Sequence, residues 1–382
     1  MVGDINNYDF INYDANHIEL NGDDWSDLKK KFSDLSSGNK FTIVHIGDSH
    51  IQADVGTGTT RVCFQKRFGN GGRGLIVPFR LAGTNQPDDY TVSSTSSFTK
   101  ATLMRMPWPT KMGFTGVSLF PETTLFTFHI KVKEPVRNFV ILHDGEIEVE
   151  SVIHAARKLD FSTERTPEGL ELSLPESADD FEITLKGAAN IFGFNMKGTN
   201  DGGVVYHAIG NNGATYASYN GVKGFGERVA TLNPDLVIIS LGTNEAFGRV
   251  NREVFRNQID ALITKVKRSS PDAKILITTP SECQKSTVRK RYVGKKKRRR
   301  AVRTRTYAVN PNVALIADEI REYAIQNNIP LYDFYNVAGG EGASTKWVEH
   351  KLLSADRIHR SRQGYKLDGT LIYQALAESL DN

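Results

Sequence analysis

The most constraining feature of the sequence is a short apolar run, residues 41–46, that stops abruptly at Gly47-Asp48-Ser49-His50. A β-rich run of this length bounded by glycine indicates a strand that is buried on both faces of a parallel sheet. The turn that follows would place Ser49 at the carboxyl end of the strand, where open α/β sheets bind their ligands. A serine at this position is a candidate nucleophile if the chain also supplies a base, an orienting acid and an oxyanion site.

Four later segments repeat this pattern of a short apolar run, in most cases followed by glycine, asparagine or proline. They span residues 204–209, 235–241, 274–279 and 330–333. Helical patterns are found at 24–35, 58–67, 252–268, 313–327 and 364–380. Strands that alternate with helices predict an α/β fold, here a doubly wound parallel sheet of five strands.

Between residues 76 and 203 the pattern changes to alternation with a period of two residues. Apolar runs of this kind lie at 124–132, 138–142, 170–174 and 181–185, with Gly, Pro and Asp between them. This spacing predicts an antiparallel β-sandwich. We therefore predict a discontinuous α/β domain, residues 1–75 and 204–382, into which a β domain of residues 76–203 is inserted.

A single basic segment determines the charge of the chain. Residues 284–306 hold 12 of the 48 Lys and Arg residues and no Asp or Glu, so 36 basic residues face 44 acidic ones elsewhere and the rest of the chain has a net charge of −8. The centre of the segment is the run from Lys295 to Arg300. We expect a solvated loop after the fourth strand, with contact to an anionic surface or an acidic glycan as the main alternative. Nucleic acid is the least favoured partner, because no nucleic-acid-binding motif accompanies the run.

Composition excludes several other classes of protein. No run of 18 apolar residues is present, so no membrane span is predicted. Cys63 and Cys283 are too few for a disulfide framework or a zinc site, and we expect two free, buried thiols. No spacing of His, Cys and acidic residues matches a metal site, and we expect neither a metal nor another cofactor. No signal peptide is visible, although a mature secreted protein without its leader would look the same.

The segment before the C-terminal helix supplies the two partners that a nucleophilic serine requires. Asp356 and His359 are three residues apart, so in a turn their side chains can point the same way. The imidazole would then bond the carboxylate through one nitrogen and reach Ser49 with the other, taking the serine proton and later returning it to the leaving alcohol. The alternative is that His359 is simply one of nine histidines and stands at the start of a helix. A base and a nucleophile must meet in space, and spacing in the sequence does not establish that they do.

Four short blocks in this order resemble those of the SGNH (GDSL-like) hydrolases. The blocks are Gly47-Asp48-Ser49, Gly213, Gly242-Thr243-Asn244 and Asp356-x-x-His359, and the resemblance covers residues 1–75 and 204–382. It implies a flavodoxin-like α/β fold, no cofactor, and the hydrolysis of carboxylic esters. It also implies that Ser49 is the nucleophile, His359 its base and Asp356 the residue that orients the base. The N–H groups of Ser49 and Gly213 and the side chain of Asn244 would form the oxyanion hole, an arrangement suited to stabilising a tetrahedral intermediate.

The first block departs from the usual GDSL sequence, because His50 replaces leucine. Several features together with this change narrow the resemblance to the peptidoglycan O-acetylesterases. They are the segment Ile51-Gln52-Ala53-Asp54 that follows, the β insertion, the segment Ile209-Gly210-x-x-Gly213-Ala214-Thr215, and Gly339-Gly340 before Asp356. These enzymes remove the 6-O-acetyl group of N-acetylmuramic acid and carry an insertion similar to a carbohydrate-binding module. We take Gly213 rather than Gly210 as the glycine of the second block. His50 is expected to lie in a loop or behind the catalytic residues rather than to act as a second base, and it is a candidate for substrate binding.

Aromatic residues of the insertion are candidates for stacking on sugar rings. Phe98, Phe114 and Phe120 are more simply explained as core residues, because aromatic side chains bury large areas in a β-sandwich. Trp108 differs because it stands between two prolines in a predicted loop. We therefore select Trp108 as the aromatic candidate for glycan binding.

These residues predict a serine esterase. The resemblance implies that it removes O-acetyl groups from cell-wall glycan in the periplasm or at the cell surface. The alternatives are an esterase on another acetylated polysaccharide such as xylan, an O-acetyltransferase in which a sugar hydroxyl replaces water, and a non-catalytic glycan-binding protein. The last is least consistent with four intact blocks, since strained functional turns have no other reason to persist.

Overall fold

A computed structural model gives the positions of residues 8–293 and 300–381. The strands are β1 (Lys40–Gly47), β2 (Gly74–Ile76), β3 (Tyr90–Ser93), β4 (Phe98–Thr102), β5 (Val117–Pro121), β6 (Leu125–His154), β7 (Arg157–Leu159), β8 (Ser162–Arg165), β9 (Leu170–Met196), β10 (Gly203–Gly210), β11 (Leu236–Ser240), β12 (Lys274–Thr278), β13 (Gln284–Val293), β14 (Arg300–Val309) and β15 (Leu331–Tyr332). The α-helices are α1 (Ser26–Ser33), α2 (Ser49–Gln52), α3 (Gly56–Phe68), α4 (Tyr216–Asn220), α5 (Phe225–Ala230), α6 (Arg252–Ser269), α7 (Pro311–Gln326), α8 (Phe334–Val337), α9 (Ala343–Glu349) and α10 (Arg362–Asp381). Short 3₁₀ helices span Tyr13–Ala15, Asp34–Ser37 and Glu245–Phe247.

The predicted parallel sheet is present. Within the described residues its five strands lie in the order β10-β1-β11-β12-β15, and all neighbouring strands are parallel. Every residue of β1 after Lys40 is buried, which explains the nearly continuous apolar run at 41–46. The α/β fold predicted from the alternation of strands and helices is thereby confirmed, and the ends of the five predicted helices are shifted by no more than two residues.

Alternate residues of β1 point into two separate cores. Phe41 and Ile43 belong to a buried cluster with α1, α3 and α10, whereas Val44 and Ile46 belong to one with α4, α5, α6 and α7. The two-residue period of a strand accounts for this division. The sheet is therefore covered by helices on both faces, and its polar groups are left at the carboxyl rim.

The predicted antiparallel insertion is also present, and its described strands are connected by hydrogen bonds into one sheet. Most of this sheet consists of the long strands β6 and β9. Ile183 of β9 pairs with Phe128 in the first half of β6 and with Val152 in its second half. The register shifts between Lys131 and Ser151 mark irregularities that bend the strand. The sheet closes in this way around a core of its own, which includes Phe126, Phe139, Phe181 and Phe194.

The insertion packs directly beside the loop that follows β10. Phe114 and Phe192 belong to the same buried cluster as residues of β10 and α4. The side-chain amide of Asn211, which directly follows β10, donates to the carbonyl oxygen of Thr115 at 3.0 Å. The insertion thus supports the loop that contains Gly213.

The basic segment predicted to be a loop is a β hairpin in its described part. Strands β13 and β14 pair antiparallel over their full lengths, whereas Lys295 to Arg299, at the centre of the run, lie outside the described residues. Charge alone predicted a solvated loop, but β-branched residues such as Val288, Val302 and Thr304 favour extended structure in both arms.

Candidate active site

Ser49 stands at the junction of β1 and the short helix α2. Asp48 caps this helix, and one of its carboxylate oxygens accepts the N–H of His50 at 2.9 Å. A Cβ at Gly47 would lie 2.3 Å from a side-chain carbon of Ile51 and 2.8 Å from a carbonyl oxygen of β11, so the sharp turn requires glycine there. The turn leaves Ser49 at the carboxyl rim of the sheet.

The loop before α10 brings a histidine and an aspartate to this serine. Ser49 Oγ lies 2.7 Å from His359 Nε2, and His359 Nδ1 lies 2.7 Å from Asp356 Oδ2. The three side chains form an unbroken hydrogen-bond chain from hydroxyl to carboxylate. In such an arrangement an imidazole can accept the hydroxyl proton while the carboxylate orients it. The structure therefore brings together the three residues selected from the sequence as a catalytic group.

The carboxylate of Asp356 also shapes the loop. Its second oxygen, Oδ1, accepts the N–H of Ile358 at 2.9 Å and that of His359 at 3.0 Å. Burial alone would raise the pKa of this carboxyl, but the hydrogen bonds from the His359 ring and from the two N–H groups outweigh burial and lower its pKa. An ionised Asp356 favours the tautomer in which Nδ1 carries the proton and Nε2 is free to accept one.

Arg360 anchors the same loop from within the protein. Its guanidinium carbon lies 3.7 Å from the ring centre of Trp347, while Nε donates to Asp368 at 3.0 Å and an Nη donates to Ser281 at 2.6 Å. The buried charge is compensated by a carboxylate and by the face of an indole ring. Because Arg360 directly follows His359, these contacts fix the backbone that carries the His359 imidazole.

The two remaining blocks lie in the loops after β10 and β11. Gly213 has a φ of +81°, in the left-handed region that favours glycine. Asn244 Nδ2 donates to the carbonyl oxygen of Ala214 at 2.9 Å and lies 3.3 Å from Asp48 Oδ2. Asn244 thus ties the Gly213 loop to the turn that carries Ser49. Within residues 8–293 and 300–381, neither the N–H of Ser49 nor that of Gly213 donates a hydrogen bond, so both are available to an oxyanion.

Gly210, the alternative glycine of the second block, has a different position. It is the last residue of β10 and pairs with Gly47. A Cβ there would lie 2.1 Å from the backbone nitrogen of Gln52. Gly210 therefore permits the close approach of α2 to the sheet, whereas Gly213 lies in the loop beyond it.

Asp48 is the most deeply buried charged group of the turn, with 2% of its surface exposed. Burial raises the pKa of its carboxyl to about 6, although the hydrogen bond from the N–H of His50 and the charge of His359 act in the opposite direction. The carboxyl lies between the helix that begins with Ser49 and the amide of Asn244.

Two polar residues that were not selected from the sequence hold these loops together. One is Glu245, whose carboxylate accepts the N–H of Tyr216 at 2.9 Å and that of Gly242 at 3.1 Å. Burial raises the pKa of this carboxyl to about 7, despite these hydrogen bonds. The signal in the sequence is an acidic residue directly after the Gly242-Thr243-Asn244 block.

The other is Gln52, three residues after Ser49. Its side-chain oxygen accepts the N–H of Asn212 at 2.7 Å, and its amide donates to the carbonyl oxygen of Asn85 at 2.9 Å. This residue connects the serine turn, the Gly213 loop and the insertion. The signal in the sequence is its place in the segment Ile51-Gln52-Ala53-Asp54, one helical turn after Ser49.

His50 lies beside His359. Its ring centre is 5.3 Å from that of His359, and its Nδ1 is 3.2 Å from the hydroxyl oxygen of Tyr365. Burial lowers the pKa of His50 to about 3, and the charges of His359 and Arg360 add to this effect. His50 is therefore neutral at neutral pH, and a role in substrate binding stays a prediction.

Trp108 is half-buried. Its indole N–H donates to the carbonyl oxygen of Leu103 at 3.2 Å, and its ring packs against the core shared by the insertion and the sheet. These contacts account for Trp108 by packing, and glycan stacking stays a prediction. Met104 lies closer to the second block: its side chain is 3.7 Å from the place that a Cβ of Gly213 would occupy.

Cys63 and Cys283 are free and buried, as expected from the sequence. Among the described residues, no cluster of three or more His, Cys, Asp and Glu side chains is arranged to hold a metal ion. None of the helices in the described part of the chain is long and apolar enough to cross a membrane.

Comparisons with known proteins give a family for part of the chain. Residues 187–367 match the GDSL-like Lipase/Acylhydrolase family. The matched range contains Gly213, Asn244, Asp356 and His359, whereas Ser49 precedes it and is separated from it by most of the insertion. No curated protein sequence matches the chain.

Solved structures extend the likeness to the whole chain. A structure of a peptidoglycan O-acetylesterase matches with a TM-score of 0.73 and 20% identity, covering 98% of each chain. A lipase/acylhydrolase from Enterococcus faecalis is 21% identical over 46% of this chain and 77% of its own, with a TM-score of 0.32. A two-domain esterase active on acetylated mannans is 11% identical over 97% of this chain and 58% of its own, with a TM-score of 0.46. The first match shows that the insertion belongs to the shared fold. Residues 187–367 thus match the GDSL-like Lipase/Acylhydrolase family, and the chain as a whole shares its fold with a peptidoglycan O-acetylesterase.

Proposed function

We propose that this chain is a serine O-acetylesterase of cell-wall glycan, with the 6-O-acetyl group of N-acetylmuramic acid in peptidoglycan as its substrate. The observation that carries the proposal is the hydrogen-bond chain from Ser49 through His359 to Asp356, with 2.7 Å at each link. The chemistry follows from this geometry. The choice of glycan is supported by the fold, which matches that of a peptidoglycan O-acetylesterase over 98% of both chains.

In the first half of the reaction, Ser49 Oγ attacks the carbonyl carbon of the acetyl group. His359 Nε2 takes the hydroxyl proton as the new C–O bond forms, and the carbonyl oxygen becomes an oxyanion. When the tetrahedral intermediate collapses, the bond to the sugar oxygen breaks. The sugar leaves as an alcohol with the proton from His359, and Ser49 is left acetylated.

In the second half, water takes the place of the sugar hydroxyl. His359 removes a proton from the water as its oxygen attacks the acetyl carbon, and the bond to Ser49 Oγ breaks. Acetate leaves and the serine recovers its proton from His359. Asp356 stays ionised throughout, holds Nδ1–H and stabilises the imidazolium, a role that its lowered pKa favours.

The oxyanion hole uses the N–H groups of Ser49 and Gly213 and the side chain of Asn244. The hydrogen bond to Ala214 orients the amide of Asn244 before substrate binds. We expect the oxyanion to replace the 3.3 Å contact between Asn244 and Asp48, because it is the longer of the two. Each donor contributes about 3–4 kcal/mol to lowering the barrier.

The proposed substrate sets the place of action. Peptidoglycan lies outside the cytoplasmic membrane, so an esterase that acts on it works in the periplasm or at the cell surface. The reaction uses only side chains and water, and none of its steps requires a metal or an organic cofactor.

The proposal is tested by measuring acetate released from O-acetylated peptidoglycan and from acetylated xylan. Wild type is compared with Ser49→Ala and with Ser37→Ala, a control at an exposed serine. Release from peptidoglycan by wild type and the control, but not by Ser49→Ala, is the expected result. Release from xylan alone would replace the substrate and keep the catalytic group. Failure of the folded wild type to release acetate from either polymer, or transfer of acetyl to an added sugar in preference to water, would reject the esterase proposal.

A further inference from the structure

The hairpin of β13 and β14 takes no part in the proposed reaction. In the described part of the chain the two strands pair only with each other. Residues 284–309 contain no Asp or Glu, and the described side chains of both arms are exposed along most of their length. A two-stranded hairpin is only marginally stable in water. The formation of this one from a strongly cationic segment therefore requires an explanation.

The register of the hairpin places like charges together. Lys290 is paired directly with Arg303, and Arg305 is the next residue but one along the same face. Like charges directly opposite each other destabilise a strand pair. Among the described side chains, Arg289, Arg303 and Arg305 have no acidic partner. A merely solvated surface would be more stable with charges of both signs, so the counter-charges of these three arginines are left for a ligand to supply.

The base of the hairpin is fixed to the loop that carries the catalytic base. The N–H of Gln284 donates to the carbonyl oxygen of Arg357 at 3.0 Å, and an Nη of Arg357 donates to the Gln284 side chain at 2.8 Å. The hydroxyl of Tyr307 donates to the carbonyl oxygen of Ala355 at 2.8 Å. The Arg357 guanidinium lies 4.0 Å from the ring centre of Tyr307. The hairpin therefore starts at the loop of Asp356 and His359, and a polymer bound along the arm extends from it toward that loop.

We propose that the hairpin binds the anionic groups of a polymeric substrate and thereby raises the encounter rate and affinity of the esterase for that polymer. This inference rests on the proposed function and specifies its substrate class: an acetylated glycan that carries carboxylates along its length, as peptidoglycan does on its peptides. Clustered charge of one sign concentrates an oppositely charged substrate around a site, and salt screens the effect.

The position of the hairpin favours a glycan over nucleic acid. Its base touches the catalytic loop, so binding there serves turnover of an ester-bearing polymer. Single-stranded nucleic acid is held by aromatic rings on which bases stack. Tyr307, on the face of Arg303 and Arg305, already has its ring covered by Arg357.

The test compares two variants from which equal charge is removed. The hairpin variant carries Arg289→Gln, Lys290→Gln, Arg303→Gln and Arg305→Gln. The control variant carries Lys30→Gln, Lys158→Gln, Lys223→Gln and Lys267→Gln, all at exposed positions outside the hairpin. The probes are O-acetylated peptidoglycan, the same material with its carboxylates amidated, and p-nitrophenyl acetate. For each, kcat/KM is measured at low and high salt, and binding to the insoluble polymer is measured by co-sedimentation.

At low salt we expect kcat/KM of the hairpin variant on native peptidoglycan to fall by about tenfold or more relative to wild type. High salt should remove most of this difference, because it screens wild type and leaves the variant little changed. On amidated peptidoglycan and on p-nitrophenyl acetate the hairpin variant should match wild type. The control variant should match wild type on all three probes.

Several results would overturn the inference. An equal loss on p-nitrophenyl acetate would mean that the hairpin only supports the catalytic loop, and an equal loss in the control variant would mean that net charge is responsible. Unchanged activity and co-sedimentation of the hairpin variant, or tighter binding of duplex DNA than of peptidoglycan by wild type at the same salt, would also reject it. If wild type hydrolyses none of the esters, the proposed function fails, while co-sedimentation that is lost only in the hairpin variant would still support the anion site.

Discussion

The proposed nucleophile, Ser49, and its proposed base, His359, are held by two different kinds of structure. Ser49 follows a strand whose residues are buried on both faces, and its neighbour Asp48 is 2% exposed. Asp356 and His359 stand on a surface loop, where their side chains are 46% and 38% exposed. The sheet fixes the first group, whereas a small number of polar contacts fix the second.

This difference predicts which substitutions should disturb each half of the proposed catalytic group. A buried strand cannot shift without disturbing two packed cores, so the position of Ser49 depends on the stability of the whole domain. The loop depends on local contacts: the N–H of Ser354 donates to the carbonyl oxygen of His359 at 2.8 Å, and its hydroxyl donates to that of Arg360 at 2.8 Å. Substitutions around Ser49 should therefore change the rate of the chemical step or the stability of the whole domain. Substitutions around His359 should displace its imidazole, and each lost contact should add to the displacement.

The largest effect is expected for Ser49→Ala. Loss of the nucleophile should lower kcat/KM on an acetyl ester by at least about 10⁴-fold. The free energy of unfolding should change by no more than about 0.5 kcal/mol, because no core packing is lost. Both quantities are measured on the same preparation, by acetate release and by urea unfolding. Residual activity above one per cent of wild type would show that another group is the nucleophile.

Asp356→Asn tests the loop side of the comparison. Asparagine keeps an oxygen that can accept the N–H groups of Ile358 and His359, but it cannot accept the ring N–H of His359 as the ionised carboxylate does. We expect kcat to fall by about 10²–10⁴-fold, while KM and the unfolding midpoint change little. Asp356→Ala should lower kcat at least as much and also destabilise the loop. Equal activity of wild type and Asp356→Asn would exclude Asp356 as the orienting acid.

Arg360→Gln should show how far the loop depends on the interior. The variant leaves the carboxylate of Asp368 without its cation, and one oxygen of that carboxylate already lacks a hydrogen-bond partner among the described residues. Breaking a buried ion pair on one side costs about 3 kcal/mol, measured by urea unfolding. Arg362→Gln, at an exposed ion pair with Asp88, is the matched control and should cost less than about 1 kcal/mol. Equal stability of the two variants would show that Arg360 does not anchor the loop.

The nucleophile side is probed by the pH dependence of stability. Burial raises the pKa of Asp48 from 3.8 to about 6, so between these pH values the folded protein keeps a proton that the unfolded chain has lost. The stability that this proton contributes is fully present below about pH 4 and is lost as pH rises through about 6. Asp48→Asn removes this dependence, so the difference in unfolding free energy, variant minus wild type, should grow by about 2–3 kcal/mol from pH 4 to pH 8. A difference that stays constant, or shrinks, over this range would contradict a raised pKa.

Sequence reasoning reached the fold because strand runs and strand-end clusters carry strong local signals. The run at 41–46 is apolar because its strand is buried on both faces, and the blocks around Gly47 and Gly242 are marked by backbone requirements that only glycine meets. Asp356 and His359 could also be recognised, because both lie in one short turn and their spacing is a local signal.

Other parts of the site depend on contacts between distant segments, which no local pattern encodes. Gln52 and Glu245 join loops through hydrogen bonds to backbone groups 160 and 29 residues away. Trp108 was selected for its flanking prolines, but its environment is set by the docking of the insertion on the sheet. The basic segment was predicted to be a loop because its charge outweighed the β-branched residues within it.

The smallest effect is expected where the hairpin meets the catalytic loop. Tyr307→Phe removes the hydroxyl that donates to Ala355 but keeps the ring under the Arg357 guanidinium. Loss of this hydrogen bond should weaken the attachment of the loop to the hairpin by about 0.5–1.5 kcal/mol. We therefore expect kcat on p-nitrophenyl acetate to fall by at most about tenfold. Ser49 does not depend on the hairpin, so the global unfolding midpoint should stay close to that of wild type. Tyr335→Phe, a change of the same chemistry away from the catalytic loop, is the control. A large fall in the unfolding midpoint would mean that the hairpin supports the whole domain, and the contrast between a nucleophile held by the core and a base held by surface contacts would then be lost.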